Sequence, residues 1–114
     1  MPLSDRDLLE LSGEASVEEI RDLNLRNQGL ESIEAFSPRL TQLLALSLSH
    51  NRLTSMRGFH HLHQLTTLNV NSNSLTSLEG VQGCRSLQRL YAASNMIRDL
   101  APLVALQQLD TVSM

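Results

Sequence analysis

One leucine pattern recurs along this chain at a fixed interval of 22 residues, from position 43 to 65 and from 65 to 87. Its clearest copy is residues 43–53, which read L-x-x-L-x-L-x-x-N-x-L. The pattern begins again at Leu65 and Leu87, and a weaker copy begins at Ile20. Self-similarity at such a period is typical of proteins in which each repeat is one structural unit stacked on the next. The repeat therefore constrains the fold more strongly than local propensity does.

Within each repeat, the hydrophobic pattern changes from that of a strand to that of a turn. Apolar Leu46 and Leu48 alternate with polar residues, which predicts a short strand with one buried face. Successive strands are expected to pair in parallel, about 4.8 Å apart. Gly58, Gly80 and Pro102 share one position and predict a tight change of direction there. We therefore predict an α/β solenoid with a parallel concave sheet and short turns or 3₁₀ helices on its convex side.

The residues before the first repeat, 1–19, predict a helical N-terminal cap. Ser4 is placed to N-cap a helix that ends at Gly13, and Ser16 with Glu19 has the pattern of a second capping box. Such a cap would cover leucines and backbone groups that the first strand of a stack exposes. The predicted domain bounds that follow are four repeats over 20–108 (20–42, 43–64, 65–86 and 87–108) and a truncated fifth repeat over 109–114.

The three regular repeats each carry an asparagine where the strand turns into the loop: Asn51, Asn73 and Asn95. An asparagine side chain both donates and accepts, so it can pair backbone groups left open at a bend. We predict that these side chains form a structural ladder, since an unpaired buried group costs roughly 1–3 kcal/mol. Gln28 takes this place in the first repeat, which predicts a less regular first bend.

Two positions depart from the leucine pattern of the core. Ala92 stands where the other repeats carry a larger residue, which predicts a gap that Met96 or Tyr91 fills. Cys84 falls at a leucine position, so we expect a small buried hydrophobe and not a nucleophile. A single cysteine, a polar N-terminus unlike a signal peptide and the lack of a long apolar run predict a soluble intracellular protein.

The net charge of −3 is small, but it is unevenly distributed. Residues 1–34 carry nine acids and three arginines, a balance of −6, whereas residues 35–114 carry six arginines and three acids, a balance of +3. This asymmetry either orients a partner along the stack or merely solvates an acidic cap. The negative total and the scarcity of aromatic residues argue against nucleic-acid binding.

These repeats resemble the leucine-rich repeat family over about residues 20–106. Their spacing is similar to that of the class containing the protein phosphatase 1 regulatory leucine-rich repeat protein, outer-arm dynein light chain and many ciliary and centrosomal proteins. Residues 97–103, I-R-D-L-A-P-L, are similar to the turn of bacterial internalins. The resemblance implies a right-handed solenoid that binds a protein on its concave sheet, in the cytoplasm and in a ciliary, centrosomal, other cytoskeletal or phosphatase-regulatory complex. The chain departs from the family in lacking a C-terminal capping motif.

The repeat register predicts which side chains face the concave side. They are small and polar, and Tyr91, with Arg89 beside it, is the sole aromatic among them. Tyr and Arg often anchor interfaces, although most interface contacts carry little energy. The predicted partner-binding residues are Tyr91, Arg89, Arg26, His50, Asn69, Asn71 and Ser47. The alternative is that they are ordinary solvent-facing strand residues.

The sequence offers little for catalysis or for metal binding. No predicted strand carries paired carboxylates or a nucleophile beside a base, so we predict no enzymatic activity and no catalytic residue. His60, His61 and His63 place three imidazoles within four residues of a convex turn, but a structural zinc site normally needs four ligands. We therefore expect solvated histidines, no metal, no cofactor and no membrane partner.

The predicted fifth repeat contains Leu109, Val112 and Met114 and then stops. Terminal repeats normally carry polar caps, so these residues predict an exposed oligomer edge. Either the chain continues in a longer protein, which we favour because open edges are usually managed within one chain, or another molecule covers the edge. Two functions follow: an adaptor or scaffold that binds a protein on the concave sheet, or an oligomerisation module that associates end to end through its C-terminal end.

Overall fold

A computed structural model describes residues 3–114. Five three-residue strands form one parallel sheet whose spatial order follows the chain. The strands are β1 (Asp22–Asn24), β2 (Ala45–Ser47), β3 (Thr67–Asn69), β4 (Arg89–Tyr91) and β5 (Thr111–Ser113). The predicted α/β solenoid with a parallel sheet is confirmed.

The core lies between the sheet and the returning turns and consists mostly of aliphatic side chains, together with Phe36 and Phe59. The central residues of the first four strands, Leu23, Leu46, Leu68 and Leu90, are all buried. Their neighbours along each strand lie on the opposite, more exposed face, as strand alternation requires. Each repeat therefore presents one side of its strand to the core and the other to the concave surface.

Short 3₁₀ helices return the chain on the convex side: Ser37–Arg39, Phe59–His61, Val81–Gly83 and Ala101–Ala105. Gly58 and Gly80 precede two of them with φ of +89° and +109°, in the left-handed region that favours glycine. Pro102 does not repeat this role, because its ring fixes φ near −65°. In that repeat Leu100 caps the helix instead, and Pro102 lies inside its first turn.

The N-terminal cap contains one α-helix, α1 (Asp5–Ser12). Ser4 and Asp7 form a capping box at its start, and Gly13 ends it with φ of +76°. The second predicted capping box is wrong. The Glu19 amide donates to the Ser16 carbonyl at 3.2 Å, within a 3₁₀ turn (Val17–Glu19), so the Ser16 side chain makes no cap bond.

Arg39 fastens this cap to the first convex turn. Its Nη1 lies 2.6 Å from Asp5 Oδ2 and its Nε lies 3.0 Å from Glu18 Oε2. The hydrogen bond from Arg39 lowers the pKa of Glu18.

Within residues 3–114, no helix has both the length and the apolar composition needed to cross a bilayer.

The predicted filling of the gap at Ala92 is also wrong. Ala92 is buried, but Met96 leaves 58% of its surface exposed. Met96 follows the bend, at the position that Arg52 and Ser74 occupy in earlier repeats, and its amide donates to the Leu75 carbonyl. Tyr91 pairs in register with Asn69 and therefore belongs to the concave face, not the core.

Candidate concave interface

The concave surface is held in place by asparagine side chains that bridge successive repeats. Asn51 Oδ1 accepts hydrogen bonds of 3.0 Å from the amides of Gln28 and Leu30. Its Nδ2 donates to the carbonyls of Leu25 and Leu48 at 2.9 Å. Each side chain thus pairs backbone groups of its own repeat and of the one before, where the strands end.

Asn73 and Asn95 repeat this arrangement one and two steps along the stack. Their Oδ1 atoms accept from the amides of Leu53 and Leu75, both at 3.0 Å. Their Nδ2 groups each donate to a carbonyl of the preceding repeat and to two carbonyls of their own, at 2.9 to 3.2 Å. The asparagine ladder therefore fixes the spacing and direction of the strands.

The residue before each ladder position adopts a left-handed backbone. Asn27, His50, Ser72 and Ser94 have φ between +56° and +60°, which costs a side-chain-bearing residue about 1–2 kcal/mol. Hydrogen bonds around the bend hold this conformation. In the first repeat Gly29 is left-handed as well, with φ of +68°, and Gln28 is exposed and does not extend the ladder.

The strand register assembles the concave side chains into columns. One column contains Asn24, Ser47, Asn69, Tyr91 and Ser113, and a second contains Asp22, Ala45, Thr67, Arg89 and Thr111. Backbone bonds beyond the strands, such as the Asn27 amide to the Ser49 carbonyl at 3.0 Å, extend the register. They place Arg26, Ser49, Asn71 and Ala93 in a third column. Of the predicted contact residues, six lie in these columns, and His50 lies beside them at the left-handed bend.

Three concave asparagines have a structural role that the sequence did not reveal. Asn24 Oδ1 accepts from the Arg26 amide at 3.0 Å, and Asn69 Oδ1 accepts from the Asn71 amide at 2.9 Å. Asn71 Oδ1 accepts from the Ala93 amide at 2.7 Å, across to the next repeat. The carbonyl side of each carboxamide therefore supports the backbone, which leaves its NH₂ side for other partners.

Leu44 is an exposed apolar residue, directly before β2, that the repeat pattern did not single out. It precedes β2, at the position that Arg21, Thr66 and Gln88 occupy in the other repeats, and 40% of its surface is exposed. The available signal was the leucine pair Leu43-Leu44, in which the second member stands at a position that other repeats fill with polar residues.

The described arginines that form ion pairs lie away from the concave columns. Within residues 3–114 the pairs are Arg6–Glu10, Arg39–Asp5, Arg39–Glu18 and Arg57–Glu34. Arg26 and Arg89 belong to none of them and are exposed. Their guanidinium groups are available to a partner.

The convex side carries a cavity of about 480 Å³ between successive turns, lined in part by Glu34, Arg57, His60, His61 and Glu79. The rings of His60 and His61 lie 4.0 Å apart, and all three convex histidines are exposed. In the described part of the chain, no three metal-ligating side chains converge.

Cys84 is the one thiol of the chain, and it lies in the core. Burial raises the pKa of Cys84 to about 12, and its Sγ donates to the Phe59 carbonyl at 3.3 Å. The thiol is therefore neutral at physiological pH, whereas a cysteine nucleophile acts as the thiolate.

The C-terminal end of the stack exposes apolar surface. All three residues of β5 are exposed, including Val112. Val104 leaves 85% of its surface exposed and Leu100 leaves 50%, while Met114 is exposed and Leu109 is half-buried. β5 pairs with β4 on one side only within residues 3–114.

These features define the class: a solenoid of parallel single-strand repeats with an interior asparagine ladder. Residues 18–75, more than half of the chain, match the family model described as leucine rich repeat. The chain belongs to the leucine-rich repeat family. The family's solenoids supply extended concave surfaces for binding proteins.

Solved structures show the same fold. An internalin from Listeria monocytogenes is 23% identical with a TM-score of 0.77, over 98% of this chain and 30% of that one. Internalin C2 from the same organism is 24% identical with a TM-score of 0.84, over 95% and 51%. A chain of the Drosophila melanogaster SNF/U2A' complex is 27% identical with a TM-score of 0.74, over 96% and 66%. This chain spans less than two thirds of each. The curated proteins contain no match.

Proposed function

We propose that the chain is a non-enzymatic adaptor or scaffold module that binds a protein partner on its concave sheet. The observation that carries this proposal is that Arg89, Tyr91 and Arg26 stand in the concave columns, and that both arginines are exposed and form no ion pair within residues 3–114. Arg and Tyr commonly anchor interfaces, and rigid positioning lowers the entropic cost of binding.

A related observation supports a protein partner. The Drosophila melanogaster structure similar to this chain is a complex of SNF with U2A', and the similarity covers 96% of this chain. The shallow, small-residue concave surface also suits a polypeptide better than a small ligand, because small-molecule sites are enclosed and mostly apolar.

Site-specific photo-crosslinking tests the binding face. A photoreactive phenylalanine analogue replaces Tyr91 in one variant and His61, on the convex side, in a second. In cells producing the protein, we expect the Tyr91 variant to give discrete crosslinked species that the His61 variant does not give. Crosslinks from His61 alone would place the interface on the convex turns and contradict the proposal.

The resemblance of the repeats to ciliary, centrosomal and phosphatase-regulatory proteins supports a proposal about location. We propose a cytoplasmic protein that joins a cytoskeletal assembly of the cilium or centrosome, or a phosphatase-regulatory complex. Imaging of the tagged chain beside a centrosomal marker tests this. A signal confined to another compartment would contradict it.

The exposed C-terminal end favours a second candidate, an oligomerisation module. Leu100 and Val104 of the last convex turn and Val112 of β5 are exposed, and β5 has one neighbouring strand within residues 3–114. The opposite end is covered because α1 packs against β1. Two copies would therefore meet C-terminal end to C-terminal end, which closes a two-fold dimer instead of a filament.

Sedimentation velocity at several concentrations tests this second candidate. We expect the wild type to dimerise with rising concentration and Val112→Lys to stay monomeric, because a charge on β5 opposes edge pairing. Thr76→Lys, at an exposed position outside the strands, is the matched control and should dimerise normally. A wild type that is monomeric at every concentration would exclude the candidate.

A further inference from the structure

The asparagine side chains of the concave face present mainly hydrogen-bond donors to a partner. Asn24, Asn69 and Asn71 all use their carbonyl oxygens on backbone amides of this chain, at 2.7 to 3.0 Å. A carboxamide has one acceptor oxygen and one donor NH₂ group. A partner approaching the sheet therefore meets the donor side of these side chains.

The charged groups of the same columns have the matching sign. Arg26 and Arg89 are exposed and lie outside the ion pairs within residues 3–114. Arginine donates hydrogen bonds and accepts none. Asp22, at the start of β1, is the one carboxylate in the three columns. The concave face thus offers mostly donors and positive charge.

The spacing of the two arginines points to a segment rather than a single ion. Arg26 belongs to the repeat of β1 and Arg89 to β4, three strand spacings away, and Arg89 aligns with Asp22, four residues before Arg26, so the two positions are roughly 20 Å apart. An extended polypeptide rises about 3.3 Å per residue, so about six residues cover this distance. The donors of Asn69 and Asn71 lie on the repeat between them.

From this geometry, we infer that the concave face binds an extended acidic polypeptide segment, whose carboxylates contact Arg26 and Arg89 and whose backbone carbonyls accept from the amides of Asn69 and Asn71. The inference rests on the proposed function and specifies the chemistry of its partner. Charge-assisted hydrogen bonds of this kind are stronger than neutral ones, and arginine suits carboxylate geometry.

Fluorescence anisotropy with defined peptides tests the inference. The probe is an unstructured labelled peptide of glutamate, serine and glycine, and its control replaces every glutamate with glutamine. We expect the glutamate peptide to bind at least about tenfold more tightly at low salt, and the difference to shrink as salt screens the charges. A single-stranded oligonucleotide of equal charge should bind more weakly than the glutamate peptide.

Asn69→Asp tests the NH₂ donor of Asn69 while keeping the hydrogen bond between its side chain and the backbone. Asn69→Asp keeps an oxygen for the Asn71 amide but replaces the NH₂ donor with a second acceptor, so we expect affinity for the glutamate peptide to fall about tenfold or more. Gln64→Glu adds the same charge at an exposed position outside the strands and should change affinity less than about twofold. Arg89→Gln should also weaken binding, and Arg85→Gln, an exposed arginine outside the columns, is its control.

Several results would overturn the inference. These are no measurable binding of the glutamate peptide, equal binding of the two peptides, wild-type affinity in both Asn69→Asp and Arg89→Gln, or tighter binding of the oligonucleotide. The proposed function fails separately, through the Tyr91 crosslinks. If Tyr91 crosslinks to a neutral or basic segment, the concave face is an interface but the acidic partner is excluded.

Discussion

The concave and convex sides of the stack differ in which of their side chains make contacts that hold the fold together. On the convex side, Gly80 allows close backbone packing, and Arg57 pairs with a glutamate of the neighbouring turn. On the concave side, Arg89, Tyr91 and Ser47 project from strands that pair in parallel register, and the asparagine ladder joins the repeats just beyond the strand ends. The comparison shows that, within residues 3–114, the arginine and tyrosine side chains of the concave face make no polar contact that holds the fold, whereas Asn24, Asn69 and Asn71 each contribute one oxygen to the backbone.

The largest effect should come from the interior ladder. Asn73→Ala removes four hydrogen bonds to backbone groups, so we expect the free energy of unfolding to fall by about 3 kcal/mol or more. Asn71→Ala, two residues away on the concave face, removes one bond and should cost about 1 kcal/mol. Urea unfolding of both variants measures the difference. Equal losses of stability in the two variants would mean that the interior ladder stabilises the fold no more than the single concave hydrogen bond does.

The next effect concerns glycines with different surroundings. A Cβ on Gly80 would lie 2.8 Å from the Met56 carbonyl oxygen, whereas a Cβ on Gly29 would meet nothing within 4 Å, and both glycines are left-handed. We expect Gly80→Ala to cost about 3 kcal/mol and Gly29→Ala only the left-handed penalty of about 1 kcal/mol. Thermal unfolding checks which variant loses more stability, and a larger loss for Gly29→Ala would contradict the close packing of Gly80 against the Met56 carbonyl.

A smaller effect should appear at the cap as a pH dependence. Arg39 lowers the pKa of Glu18 below its ordinary 4.5, so this pair stabilises the fold above that pH. The contribution is lost as pH falls through the lower, folded-state pKa. We expect stability to decline more steeply on acidification in the wild type than in Arg39→Gln. Arg85→Gln, at an exposed arginine that forms no ion pair within residues 3–114, is the control and should keep the wild-type slope.

The smallest effect on stability is expected on the concave face. Arg89→Ala and Tyr91→Ala remove no described hydrogen bond or ion pair that holds the fold, so each should change the free energy of unfolding by less than about 0.5 kcal/mol. Urea unfolding checks both variants. A loss comparable to that of Asn73→Ala would show that these concave side chains also stabilise the fold.

The strands and their register were predictable because the 22-residue interval places every repeat on the same template. Features that depend on side-chain contacts between distant residues were not. The bond from Arg39 to Asp5 joins residues 34 positions apart, and no local pattern indicates it. The short 3₁₀ turn at Ser16 and the outward Met96 follow from local backbone geometry that composition does not fix.

For the concave site, too, the positions of the residues were predictable and their side-chain contacts were not. Its columns follow from the repeat register, so Tyr91, Arg89, Asn69 and Ser47 were placed from the sequence alone. Their role in binding stays a prediction. The use of the Asn69 oxygen by the backbone was not predictable, because polar residues at strand positions carry no signal of which of their atoms are occupied.

One measurement tests the central claim most directly: the affinity of the partner crosslinked through Tyr91 for two double variants with intact folds. Arg89→Ala/Tyr91→Ala alters the concave face, and Arg57→Ala/His61→Ala alters the convex face. We predict that the concave variant loses at least about tenfold in affinity, or about 1.4 kcal/mol, while the convex variant binds as the wild type does. Wild-type affinity in the concave variant, with a loss in the convex one, would contradict the account.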